Sequence, residues 1–278
     1  MVRLAELRKQ AERKLKSCEI ENAAFDADLM IEKSSGIPYN EFELKQGSSV
    51  DETAVFELVD RRCGGEPLQY ILGEWEFWGL PFRVGKGVLI PRPDTEVLVE
   101  QSLRLIKGIS NPKVLDLCSG SGCIATAIAH ERADADVTAV ELYDAAFGYL
   151  EENVKLNGVK VNCVRCDVLG GPNERLASQR FDLIVSNPPY IDSTDMSSLQ
   201  REVKHEPATA LAGGNDGLLF YRAIAEKWTP LMSKCGYVAA EIGWNQAADV
   251  ITIFSQKNLR CSSYKDYGGN DRVIIGTL

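Results

Sequence analysis

Asn187-Pro188-Pro189-Tyr190 puts an amide side chain, two prolines and an aromatic ring side by side. The preceding run, Phe181-Asp182-Leu183-Ile184-Val185-Ser186, is mostly apolar and β-rich in its second half, which reads as a buried parallel strand. Prolines offer no N–H to continue a ladder and hold the residue before them out of the helical region. The amide, the ring and stiff backbone carbonyls are therefore placed at the carboxyl end of a central strand, where open α/β sheets bind ligands. Taken alone, the tetrapeptide reads as well as a tight loop exit with Tyr190 packed on a neighbour. As chemistry, it offers hydrogen-bond acceptors and a flat surface, and neither histidine of the sequence, His130 or His205, lies beside it. Such a group works by orientation and electrostatic fit rather than as a strong base.

A second constellation is Asp116-x-Cys118-Ser119-Gly120-Ser121-Gly122, which joins an apolar strand to a helix. Gly120 and Gly122 let the chain turn tightly and approach a ligand closely. Glu141 ends the next strand and suits the two hydroxyls of a ribose. Two cofactors fit. Gly120-Ser121-Gly122-Cys123-Ile124-Ala125 satisfies a dinucleotide fingerprint, with Glu141 following Gly120 by 21 residues. S-adenosylmethionine lacks a pyrophosphate, and its ammonium would prefer an acid such as Asp116 beside the loop. Asp167 ends the third strand, can receive an adenine amino group, and has Val168 next to it as an adenine neighbour. The acidic rim of Asp116, Glu141 and Asp167 favours the cationic sulfonium cofactor.

Elements that position these groups follow from periodicity. Leu4, Leu7, Ala11 and Leu15 recur at helical spacing, a second helix runs from about Asn22 to Ser34 with Phe25, Leu29 and Met30 apolar, and Ser49-x-x-Glu52 resembles the capping box of a third. Residues 1–73 thus read as a small helical bundle. Residues 74–90 form an aromatic β-hairpin linker around Gly79, and residues 91–278 an α/β domain. Its strands and helices alternate from Lys113 onward, which implies a doubly wound, mostly parallel sheet. The last two strands, Cys261 to Tyr267 and Arg272 to Thr277, are separated by only Gly268-Gly269-Asn270-Asp271 and must form an antiparallel hairpin. That hairpin also favours the methyltransferase variant of the sheet.

Composition sets outer bounds. The 278 residues suffice for two domains, and a net charge of −9 argues against a broad nucleic-acid surface. The charged start, Met1 to Lys9, lacks the apolar core of a signal peptide, and no apolar run reaches membrane-spanning length. Several of the eight cysteines lie in apolar stretches, which reads as a reducing cytoplasm without a disulfide framework. Cys163-x-x-Cys166 has no second ligand pair, and in a strand its thiols would face opposite ways. No metal site is expected.

The whole chain resembles the protein-(glutamine-N5) methyltransferases of peptide chain release factors, the HemK/PrmC family. The matching stretches are Gly65-Glu66-Pro67-Leu68-Gln69-Tyr70-Ile71-Leu72-Gly73, Ile90-Pro91-Arg92-Pro93-Asp94-Thr95-Glu96, the Asp116 loop, Asn187 to Ile191, His205-Glu206-Pro207 with Ala210-Leu211, and Asp266 to Val273. The resemblance implies a helical substrate-recognition domain and a Rossmann-like S-adenosylmethionine-dependent domain. It implies class 1 release factors as partners, with the glutamine of a Gly-Gly-Gln loop as target. Asn187 and the Pro188 carbonyl would accept the N–H groups of that glutamine, with Pro189 and Tyr190 completing its site and Tyr190 stacking on the amide. Cys118 departs from the family's first loop glycine. The tetrapeptide also occurs in adenine-N6 methyltransferases of nucleic acid, which the acidic composition disfavours. A ribosomal-protein glutamine methyltransferase is nearer. A non-catalytic module that binds a translation factor would not need Asp116, Glu141 and Asn187.

Overall fold

The computed structural model describes all 278 residues, which divide into two compact units: Met1–Glu74 with Gln200–His205, and Trp75–Leu199 with Glu206–Leu278. In the first unit, Leu4, Leu7, Ala11 and Leu15 form the fully buried stripe of α1 (Leu4–Ser17). They pack against α2 (Ala23–Ser35) and α3 (Glu52–Cys63), and the short α4 (Leu68–Leu72) packs against those two helices. The inward face of α2 differs from the expectation. Phe25 is half exposed, while Asp26 is buried and paired with Arg62 of α3 at 2.7 Å. A buried carboxylate needs such a partner, and helical spacing alone does not show it. Glu202, from the returning segment, also meets Arg62 at 2.7 Å.

The cap of α3 differs as well. Ser49 and Val50 are β2, paired antiparallel with β1 (Val2–Arg3). Asp51 caps the helix instead, accepting from Thr53 N at 3.0 Å. Cys18 and Cys63 form a disulfide with Cα atoms 5.5 Å apart, which corrects the expectation of none. They follow or end α1 and α3, whose packing joins residues 45 apart in sequence. The other six cysteines are free, and no acid, histidine and cysteine cluster could hold a metal.

The second unit begins at Trp75, within the hairpin of β3 (Glu74–Phe77) and β4 (Leu80–Arg83), joined by Trp78 and Gly79, both at positive φ as a tight two-residue hairpin turn requires. After α5 (Thr95–Ile106) come β5 (Lys113–Leu117), α6 (Cys123–Glu131), β6 (Asp136–Glu141), α7 (Asp144–Leu156), β7 (Val161–Arg165), α8 (Glu174–Ala177) and β8 (Phe181–Ser186). Then follow α9 (Leu219–Ala223), β9 (Met232–Glu241), α10 (Ala247–Ser255), β10 (Arg260–Lys265) and β11 (Asp271–Thr277). The seven-stranded sheet has the order β7-β6-β5-β8-β9-β11-β10. Only β11 runs against its neighbours.

Alternate residues feed opposite cores. Val114, Leu183 and Val185 join Leu98, Ile124 and Leu150 on one side, while Leu115, Leu117 and Ile184 join Tyr221, Trp228 and Phe254 on the other. Burial on both faces explains why the central strands read as continuous apolar runs. No helix is long and apolar enough to cross a membrane.

Candidate functional site

Parallel strands end on the same edge, so β5, β6, β7 and β8 deliver the Asp116 loop, Glu141, Asp167 and Asn187 to one rim. A cleft there is lined by Cys118, Ser119, Gly120, Ser121, Glu141, Asp167, Val168, Asn187 and Pro189. Apolar walls come from Ile124, Val140, Leu142, Leu169 and Phe220. Asp116, Gly122, Pro188 and Tyr190 do not line it.

Cys118, Gly120 and Gly122 have φ values of 59°, 55° and 78°. The loop therefore turns through three left-handed residues, one of them a cysteine that bears roughly 1–2 kcal/mol for the conformation. At Gly122 a Cβ would lie 2.4 Å from Leu150 Cδ1 of α7, so close packing as well as φ requires glycine. The amide of Ser119 donates to Val140 O at 3.0 Å, that of Gly120 to Glu141 Oε2 at 2.9 Å, and that of Gly122 to Ser119 O at 2.8 Å. Three loop amides are thus committed to protein acceptors, whereas a pyrophosphate cradle needs free ones. This disfavours the dinucleotide.

Glu141 Oε1 also accepts from the amides of Leu142 and Tyr143 at 2.8 and 2.9 Å. Three amides hold the carboxylate in one orientation on the cleft wall. Asp116 lies beneath the loop, fully buried; its Oδ2 accepts from Ala125 N at 3.3 Å and its Oδ1 has no partner. Burial pushes its carboxyl up to about 7, against the hydrogen bond from the Ala125 amide. Asp167 Oδ1 accepts from Leu169 N at 2.8 Å, and buried Val168 holds Trp228 Nε1 on its carbonyl at 2.9 Å. Burial lifts the Cys118 thiol well above its ordinary value and Cys123 to about 12. Neither is a thiolate nucleophile at neutral pH.

Asn187 follows β8 directly and donates from Nδ2 to Thr95 Oγ1 at 3.1 Å, and no protein donor reaches its Oδ1. The chain beyond is fixed by close backbone approach. A Cβ on Gly217 would lie 2.4 Å from Tyr190 O, which accepts from Gln246 Nε2 at 3.0 Å. The Tyr190 ring packs on the core shared by Tyr221 and Trp228, and burial pushes its phenol up to about 12. Arg92 lines the cleft and pairs with buried Glu206, whose Oε2 accepts from Ile90 N at 3.0 Å. The Ile90 and His205-Glu206-Pro207 stretches are therefore one clamp.

Two participants are absent from the sequence reading of the site. Thr95 stands in the sequence only as one residue of the stretch 90–96, and it accepts from Asn187 in the structure. Glu241 ends β9, beside the end of β8, with 2% exposure. An acid at a strand end was the signal that identified Asp116, Glu141 and Asp167, and it applies equally to Glu241.

The family model for the methyltransferase small domain matches residues 94–220, and that for the PrmC N-terminal domain matches residues 6–73. The release factor glutamine methyltransferase of Fusobacterium nucleatum is 46% identical over 221 residues, 78% of this chain and 62% of that one. Its counterpart from Geobacter sulfurreducens is 40% identical over 265 residues, 93% of this chain and 91% of that one. Among solved structures, a 16S rRNA methyltransferase of T. thermophilus in complex with AdoMet and guanosine gives a TM-score of 0.52 at 20% identity. That match covers 73% of this chain and 49% of the other, and the likeness is one of fold.

Proposed function

We propose that this chain, which belongs to the release factor glutamine methyltransferase family, methylates the side-chain amide nitrogen of the glutamine in the Gly-Gly-Gln loop of class 1 release factors. The observation that carries the reading is the Asn187 amide, its NH2 engaged by Thr95 and its oxygen free, on the rim of the cleft that holds Glu141 and the loop. The residues fit S-adenosylmethionine: an unpartnered buried carboxylate oxygen, an oriented acid, apolar walls for a base and few free amides for phosphate. When bound, it supplies an electrophilic methyl group on a cationic sulfur.

An amide nitrogen is a weak nucleophile because its lone pair is delocalised into the carbonyl. Asn187 Oδ1 and the Pro188 carbonyl accept its two N–H groups, which orients the nitrogen and favours the polarised form of the amide. Orientation and electrostatic fit supply the rate, and the proton leaves readily once the nitrogen is cationic. Pro189 stiffens the cleft wall. Glu141 accepts from the ribose hydroxyls, Asp167 from the adenine amino group, with Val168 against the base. Asp116 acts from beneath the loop, by charge, on the ammonium.

The test is incubation of the chain with isotopically labelled S-adenosylmethionine and a release factor, followed by peptide mass mapping. Label on the Gly-Gly-Gln glutamine is the expected result. Label on a ribosomal protein or on nucleic acid instead would overturn the substrate assignment.

Asp116 makes a pH prediction. A cation beside it favours the carboxylate, so cofactor binding releases a proton wherever the free protein holds one. Affinity for S-adenosylhomocysteine should rise with pH up to about 7 and level off above it. The slope should not exceed about tenfold per pH unit. Calorimetry in buffers of different ionisation enthalpy counts the proton; a flat profile with none released removes Asp116 from the role.

The helical unit is the proposed recognition surface for the release factor, and a cytoplasmic location agrees with the proposed substrate. Tyr39 and Leu44 lie close in sequence on this unit and are 51% and 89% exposed. Leu44→Asp should raise KM for release factor roughly fivefold, the effect of losing partial burial of a leucine. Cofactor affinity should not change. An unaltered KM would exclude Leu44 from the interface.

A further inference from the structure

Asparagine amides are nearly symmetric in shape, so a site that needs the Asn187 oxygen toward the substrate must reject the flipped form, which would point an NH2 at another NH2. Thr95 cannot do this unaided. Its hydroxyl accepts from Asn187 Nδ2 at 3.1 Å, but by rotating it could equally donate to Oδ1. The choice is made where the hydroxyl proton goes. The buried Glu241 side chain faces Thr95 and Asn187, whose polar groups favour its charged form. Glu241 stands beside the start of the Asn187 loop because Ser186 of β8 pairs with Ala240 of β9. An ionised carboxylate only accepts, so it takes the Thr95 proton and leaves Thr95 with lone pairs alone for Asn187.

We infer that Glu241, acting through Thr95, fixes which end of the Asn187 amide faces the cleft, and is a positioning residue for methyl transfer. The inference rests on the proposed role of Asn187 as acceptor of the substrate amide. Glu241 does not line the cleft. It is buried behind Thr95 and Asn187, and its Oε2 has no hydrogen-bond partner. Protonation makes it a donor to Thr95, which frees the Thr95 proton for Asn187 Oδ1 and reverses the chain of donors. Several charged and titratable groups face it. Arg272 comes from β11 and is tied to Asp266 at 3.0 Å and to Asp94 at 3.3 Å. Tyr190 lies after β8, Cys123 on α6, and Tyr221 on α9 donates to the Glu241 backbone carbonyl at 2.8 Å. Burial pushes the Glu241 carboxyl up to about 7, against the polar groups of Thr95 and Asn187 and the charge of Arg272. The ionised form is the one that orients Asn187, so turnover falls as pH drops through that value.

The experiment measures kcat against pH with release factor at saturating S-adenosylmethionine, where the effect of Asp116 on binding is removed. The unmodified protein should show an acid limb near pH 7. Glu241→Gln should lower the plateau between about tenfold and a hundredfold, the scale of a misoriented reacting group, and abolish that limb. KM for the cofactor should stay the same. Thr95→Val, which removes the relay from the other side, should do likewise, Thr95→Ser should restore most of the rate, and the double variant Thr95→Val/Glu241→Gln should be no worse than Thr95→Val alone. Retention of both rate and acid limb in Glu241→Gln, or additive losses in the double variant, would overturn the inference. Failure of the underlying reading looks different, because the unmodified protein would then place no label on the glutamine.

Discussion

Asn187→Ala should lower kcat for release-factor methylation on the order of a hundredfold, the loss expected when reacting groups are no longer aligned. Cofactor affinity should be nearly intact, since Asn187 is held by Thr95 and the loop amides and Glu141 are fixed independently of it. The amide acts mainly as the nitrogen becomes cationic, so kcat should fall more than KM rises. Asn187→Asp is the finer comparison. It keeps an acceptor of nearly the same shape, but it replaces the NH2 that donates to Thr95 and brings a second carboxylate beside buried Glu241. Two like charges there cannot both be ionised without cost, so this variant should also be impaired. Methylation by Asn187→Ala at the unmodified rate would reduce the tetrapeptide to a strand stop.

Strand ends were legible because burial on both faces leaves long apolar runs, and acids or prolines that interrupt them stand out. Asp116, Glu141, Asp167 and Asn187 were found in this way, and the parallel topology then brings them to one edge. Where the reading failed, a side chain had an alternative that local pattern could not price. Asp26 occupies an inward helical position that only Arg62, on another helix, makes tolerable. Cys18 and Cys63 are adjacent only because α1 and α3 pack together. Thr95 and Glu241 are set beside Asn187 by the helix start and by the β8–β9 register, neither of which is local. The clamp between Arg92 and Glu206 spans 114 residues. Most of what the local pattern left out is a pairing across the fold; Glu241 is the exception, since it ends its own strand.

Glu141→Ala should weaken S-adenosylhomocysteine binding by about 1–3 kcal/mol, the range for hydrogen bonds to a charged group, or roughly five- to a hundredfold. Two losses contribute, and they can be separated. The carboxylate can accept from the ribose hydroxyls, and it also holds the amides of Gly120, Leu142 and Tyr143, which would be left without an acceptor. Glu141→Gln retains one acceptor oxygen and presents an NH2 to at least one of those amides, so it should be weakened too, even though its size is unchanged. Comparing S-adenosylhomocysteine with its 2′- and 3′-deoxy analogues isolates the ribose contact. The deoxy analogues should bind the unmodified protein distinctly less well, and Glu141→Ala should show little further difference between them and the parent. If the penalty for a missing hydroxyl is equally large in the variant, Glu141 touches no ribose and acts only as the strut of the loop. If the variant binds the parent compound as tightly as before, Glu141 has neither role, and the loop holds its three left-handed residues without it.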